Sequence, residues 1–125
     1  VVLTKVVLEN STDEMELGEA RFLRALSYSK LVKTFGDVSV NLSSAPSFSD
    51  ESILIRRPAS EVYNTVIIPD LEEATSILDN SGLATSRASQ IAAQALLGKV
   101  YLQQGEFANA EAPLAAVITQ QLVRA

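Results

Sequence analysis

Residues 89–118 read SQIAAQALLGKVYLQQGEFANAEAPLAAVI, and their spacing decides the fold. Ile91, Ala92, Ala95, Leu96, Leu97, Val100, Tyr101 and Leu102 recur at helical intervals up to about Gln104. They cover more than half of that helix's circumference, so it is expected to be the most buried element. Gly105 supplies the left-handed residue that ends it. A second helix starts near Glu106 and reaches Gln120 or beyond, with Pro113 as an interior kink. Gly98 lets the partner helix approach closely, Tyr101 fills the space between the two helices, and Ala110 is a small contact on the second. Leu114 and Val117 continue the second helix's apolar stripe at i+4 and i+7.

This order of small, aromatic and apolar residues resembles a tetratricopeptide (TPR) helix pair. The expected fold class is all-α, with TPR-like stacked helical hairpins forming an α-α superhelix, and residues 1–125 as a single helical domain. The upstream sequence fits that class. Val2, Leu3, Val6 and Val7 lie on one face of a short helix, which at about two turns is marginal alone and must pack on something. Self-association, or docking of this helix back onto the bundle, is expected. Ser11 with Glu14 three residues later is a candidate capping box for the next helix. From Met15 to Phe35, Phe22, Ala25, Leu26, Val32 and Phe35 keep helical spacing, with Leu23 and Leu31 widening the buried face. Gly18, inside this run, is either a close-approach point or a weak spot.

Gly36-Asp37 ends that helix. The Ser-rich connection from Val38 to Ile55 is long for a small helical domain, and such connections are often functional. Phe48 within it is either a stacking platform for a sugar or a tack onto the core. Pro58 suits the first position of the following helix. That helix carries a continuous stripe through Ala59, Val62, Tyr63, Val66, Ile67, Ala74, Ile77 and Leu78. The stripe keeps its phase across Pro69, so one kinked helix is expected in preference to two. Thr85, Ser86 and Ser89 are competing N-caps for the next helix.

Composition removes many functions. The 125 residues contain no cysteine and no histidine, which excludes thiolate nucleophiles, Ser-His relays, structural zinc sites and histidine-bound iron or copper. The net charge of −5 leaves no basic footprint for nucleic acid. No apolar run approaches the roughly 20 residues that span a bilayer. Asp13, Glu14, Glu16 and Glu19 lack the spacing of a cation loop and read as a solvated first turn. Asp70, Glu72 and Glu73 read as an exposed acidic helix face, because nothing nearby in sequence would drive their pKa values apart. No catalytic, cofactor-binding or metal-binding residue is assigned, and no ligand-binding residue can be named. Arg21 and Arg24 pair poorly with Glu16 and Glu19 on their own helix. They suit either a reach to a neighbouring helix or a partner's carbonyls, or a plain surface role.

Three blocks resemble the SusD/RagB family of Bacteroidetes outer-membrane nutrient-binding lipoproteins. The first is Glu19-Ala20-Arg21-Phe22-Leu23-Arg24-Ala25 leading to Tyr28, Leu31-Val32 and Phe35-Gly36-Asp37-Val38. The second is Glu61-Val62-Tyr63 with Ile67-Ile68 and Asp70-Leu71-Glu72-Glu73-Ala74. The third is Arg87-Ala88-Ser89 with Ala92-Ala93, Ala95-Leu96-Leu97 and Val100-Tyr101-Leu102. The resemblance implies a non-enzymatic scaffold at the outer membrane and cell surface. Its implied partners are a TonB-dependent, SusC-like transporter and an oligosaccharide or other nutrient. The first residues, VVLTKVVLEN, lack both an initiator Met and a signal-peptide layout, so a mature segment or a piece cut from something longer is expected. Members of that family are several times longer, and their lipid-bearing cysteine is absent from this sequence. Ser39 stands where the family usually has proline. The alternative is a free-standing TPR adaptor that holds a peptide in its concave groove. The long 38–55 connection argues against it, since ordinary TPR turns take a few residues.

Overall fold

The computed structural model describes residues 2–40, 55–79 and 88–124. Helix α1 (Val2–Asn10) leads into α2 (Glu14–Phe35), followed by strand β1 (Val38–Ser39) and strand β2 (Arg56–Arg57). A composite helix comes next: α3 (Ala59–Val62), a π-helical turn (Tyr63–Ile67) and α4 (Ile68–Ile77). Helices α5 (Gln90–Gln103) and α6 (Phe107–Arg124) complete the described chain. Each helix packs on the one before it, α1 on α2, α2 on α4, α4 on α5 and α5 on α6. This is the all-α, TPR-like stacking expected from the sequence, and α1 docks back onto the bundle.

The α5–α6 hairpin is built as the sequence indicates. Gly105 has φ 77°, its N–H donates to Leu102 O (3.0 Å), and Glu106 N donates to Tyr101 O (2.9 Å). These two bonds satisfy carbonyls left open at the end of α5. A Cβ on Gly98 would stand 2.5 Å from Leu114 Cδ2, so the two helices meet there with no room for a side chain. Ala110 is buried on α6. Of the three N-cap candidates Ser89 is the one observed, accepting from Ala92 N, while Thr85 and Ser86 lie outside the described residues. Gly18 is a close-approach point: a Cβ would meet Ile77 Cγ2 at 2.9 Å.

The composite helix explains how Pro69 is tolerated. The stripe does continue through it as one helical run, and the adjustment sits one turn earlier than the proline. Ile68 N–H bonds to Tyr63 O, five residues back. A proline ring crowds the carbonyl four residues before it, here that of Thr65, and widening the preceding turn relieves the crowding. Helix α6 likewise runs through Pro113.

Several local expectations are corrected. The N-cap of α2 is Asp13, whose Oδ1 accepts from Met15 N (2.9 Å), and Ser11 Oγ instead donates to Glu16 Oε2. Pro58 precedes the first helical turn, which opens at Ala59. The deepest stretch is 62–78, where Val62, Ile67, Leu71 and Ala74 have no exposed surface, and α5 leaves Leu102 outside. Both α4 and α5 have a neighbour on each side, α2 and α5 for the one and α4 and α6 for the other, and apolar residues spread over more than half of α5 leave some of them, such as Leu102, facing neither neighbour. On α2, Leu23, Leu31 and Phe35 are exposed. At 100° per residue, Leu23 lies about 200° round from buried Ala25 and Leu31 about 240°, so they cannot share its face. Helix α1 buries Lys5 and exposes Val6, the reverse of its apolar pattern. Tyr101 packs against the core formed with α4 and donates its hydroxyl to Glu72 Oε1 (3.1 Å), so it fills the seam toward the preceding helices.

Candidate functional site

Two polar assemblies and two surface depressions stand out among the described residues. The first assembly joins α2 to α4. Arg24 donates from Nε to Asp70 Oδ2 (2.6 Å) and from Nη2 to Oδ1 (2.7 Å), a bidentate pair, and Arg21 Nη1 adds a third bond to Oδ1 (3.1 Å). Asp70 is 2% exposed, which corrects its reading as part of an open acidic face. Glu72 and Glu73 do stay exposed. A signal for Asp70 was present, because it falls in phase with Val66, Ile67 and Ala74 on the apolar stripe, and two arginines one helical turn apart stood ready on α2. Of the two roles left open for Arg21 and Arg24, the structure selects the reach to a neighbouring helix. Lys5, buried on α1, feels the charge of Arg24. Burial lowers its pKa below the ordinary lysine value, the Arg24 cation lowers it further, and Glu9 opposes both.

The second assembly pins the two roots of the long connection. Val38 pairs antiparallel with Arg57, and Ser39 with Arg56. Arg56 donates from Nε (3.0 Å) and Nη2 (2.8 Å) to the carbonyl of Asp37, while Asp37 Oδ1 accepts from Ala59 N (3.1 Å) and caps α3. Arg57 pairs with Glu61 one turn on (3.0 Å). Thus Gly36-Asp37, read from sequence as a helix stop, also starts the next helix. Phe48, Pro46, Asp50 and Glu51 lie outside the described residues, as does Arg87.

One depression, about 330 Å³, lies beside this clasp and is lined by Val40, Arg57, Glu61, Thr65 and Val66. The other, about 390 Å³, lies between the start of α3 and the α5–α6 turn, lined by Ala59, Ser60, Tyr63, Asn64, Gln104 and Glu106. Sequence reasoning singled out neither, because each joins residues about 25 to 45 positions apart. Tyr63 is buried and its hydroxyl faces Gln103 Oε1 at 3.4 Å; burial raises its pKa. Burial also raises that of Tyr101, with the Glu72 hydrogen bond and the charges of Glu72 and Glu106 acting the same way. Among the described residues no group of three or more carboxylates could hold a metal ion, and no helix is long and apolar enough to cross a membrane.

Comparison with known proteins places this arrangement. Residues 1–102 match the model of a SusD-like family described as starch-binding and associating with the outer membrane. The chain belongs to the SusD-like family. SusD-like protein P2 of Formosa agariphila is 32% identical over 103 residues, 82% of this chain and 20% of that protein. SusD-like protein P38 of the same organism is 34% identical over 99 residues, 78% and 19% of the two chains. Among solved structures, a laminarin-binding SusD-like protein superposes with TM-score 0.79 at 33% identity, covering 94% of this chain and 27% of the other. A SusD-like protein from Bacteroides fragilis gives TM-score 0.80 at 26% identity, covering 92% and 24%. The chain thus spans about a fifth of the length of the curated relatives it matches. The Arg21–Arg24–Asp70 cluster joins the first two of the three sequence blocks that carry this family resemblance.

Proposed function

We propose that this chain is the helical scaffold segment of a longer, non-enzymatic outer-membrane protein that captures a glycan and docks on a TonB-dependent transporter. The observation that carries the reading is the family match over residues 1–102, joined to structural likeness along 94% of the chain to a relative that binds laminarin. The interior is consistent with a frame. Its buried carboxylate, Asp70, is spent on holding α2 and α4 together through Arg21 and Arg24, with both oxygens engaged. The length of the 38–55 connection and the pairing of its two roots through Val38–Arg57 and Ser39–Arg56 favour this reading over a bare TPR adaptor.

The test is calorimetry of the full-length protein against a panel of neutral polysaccharides that includes starch and laminarin, with affinity capture of the transporter from outer-membrane extracts. Binding to one glycan class together with recovery of a TonB-dependent transporter is expected. No glycan binding across the panel, or turnover of any glycan without an added enzyme, would sink it.

A further inference from the structure

Resting on the glycan-capture reading, we infer that the depression between α3 and the α5–α6 turn is a subsite for one residue of a neutral glycan. Five of its six lining side chains carry hydrogen-bonding groups: the Ser60 and Tyr63 hydroxyls, the Asn64 and Gln104 amides and the Glu106 carboxylate. Ser60, Asn64 and Glu106 are exposed, so they meet an arriving molecule directly. Gln104 Nε2 is the one buried side-chain polar atom without a hydrogen-bond partner among the described residues. A buried donor without an acceptor is destabilising. The terminal torsion of glutamine is soft, so a modest rotation brings this N–H to an oxygen placed in the depression.

The lining selects the ligand class. No lysine or arginine lines the depression and Glu106 contributes negative charge, which disfavours phosphate, sulfate or a carboxylate. A docked peptide would need apolar pockets or a free sheet edge, and this lining offers Ala59 and the edge of the Tyr63 ring. A sugar hydroxyl both donates and accepts. One hydroxyl can therefore accept from Gln104 while donating to Glu106, and its neighbour can meet Asn64 and Ser60. The volume of about 390 Å³ admits a single pyranose in an open seat. The site is fixed by the same two devices that end α5 and begin α3, Gly105 and the Asp37 cap.

The test titrates maltohexaose and laminarihexaose into the full-length protein and its Asn64→Ala and Gln104→Leu variants, with melting temperatures recorded for each. Asn64 is exposed and its replacement leaves the fold intact, which keeps the result readable if Gln104→Leu is perturbed. Expected is a loss of affinity of at least fivefold in Asn64→Ala for whichever glycan binds. Protection of peptides spanning 59–64 and 103–107 from hydrogen exchange on glycan addition is expected as well. Glycan binding that changes by less than fivefold in Asn64→Ala overturns the subsite and leaves glycan capture standing. Absence of any binding by the unsubstituted protein across the polysaccharide panel overturns the proposed function and the subsite together.

Discussion

Asp70 accepts three hydrogen bonds from two arginines while almost wholly removed from water. Breaking such a buried pair by deleting one partner costs about 3–5 kcal/mol, because the remaining charge is stranded. Asp70→Ala is therefore expected to lower the urea-unfolding free energy by that amount, a large share of the roughly 5–15 kcal/mol of a typical domain. Arg24→Ala should follow, and Arg21→Ala should cost least, since Arg21 is half-exposed and contributes a single bond. Equal losses for the two arginines would contradict the geometry. Arg24→Lys is not expected to rescue, because an ammonium cannot span both carboxylate oxygens. The residue scale is also where the sequence was hardest to read. Ser89, Gly105 and Ala110 act on their own hairpin and were legible, whereas Asp70 takes its meaning from arginines 46 and 49 positions away. Composition around it, Glu72 and Glu73, pointed the wrong way.

At the scale of elements, two glycines mark two different crossings. On α5, an added methyl at Gly98 would lie 2.5 Å from Leu114 Cδ2 and 2.6 Å from its Cγ, so it meets the branch point of a packed side chain. Overpacking of this kind costs typically about 1–3 kcal/mol, and it outweighs the roughly 1 kcal/mol that alanine gains over glycine in a helix. Gly98→Ala is thus expected to destabilise by about 1–2 kcal/mol, and Leu114→Ala to destabilise by opening a cavity. The double variant, measured by thermal or urea melts, should be more stable than the sum of the two losses implies. Gly18→Ala meets the β-branch methyl of Ile77 (Cγ2) at 2.9 Å and Leu78 Cδ2 and Cγ at 3.2 Å, a looser crossing than that at Gly98, so a smaller destabilisation is expected there. Simple additivity in the Gly98–Leu114 cycle would mean that α5 and α6 do not meet where the structure puts them. The Gly98 crossing was readable in advance because a hairpin's two helices are neighbours in sequence, whereas Gly18, whose contacts Ile77 and Leu78 lie on a distant helix end, stayed open between a close approach and a weak spot. The order of burial was not, since an apolar circumference reports what a helix could cover, and only the stacking of α2, α4, α5 and α6 determines which residues are covered.

Across the whole molecule, groups on different layers of the stack set the alkaline behaviour with opposite signs. Lys5 on α1 has its folded pKa lowered by burial and by Arg24. Below that lowered value both states hold the proton, and the buried cation is a standing cost. Between it and the unfolded value near ~10.4 the unfolded chain binds more protons, so stability rises with pH. Tyr63 and Tyr101, on the π turn and α5, have folded pKa values raised by burial, and Tyr101 also by Glu72. Their contribution is complete below the unfolded value of about 10 and is lost as pH climbs through the folded values, because the unfolded chain ionises first. Urea melts from pH 7 upward should therefore show stability climbing on the alkaline side and then falling above about pH 10. Lys5→Met should be more stable than the unsubstituted protein at pH 7, by about 1 kcal/mol. Its advantage should shrink as pH rises, because the cation it removes is by then discharged. Tyr101→Phe should soften the fall above pH 10 without altering the Lys5 limb. A Lys5→Met advantage that stays constant from pH 7 to the tyrosine range would show that the Lys5 ammonium is solvated and does not feel the Arg24 cation of the cluster that joins α2 to α4.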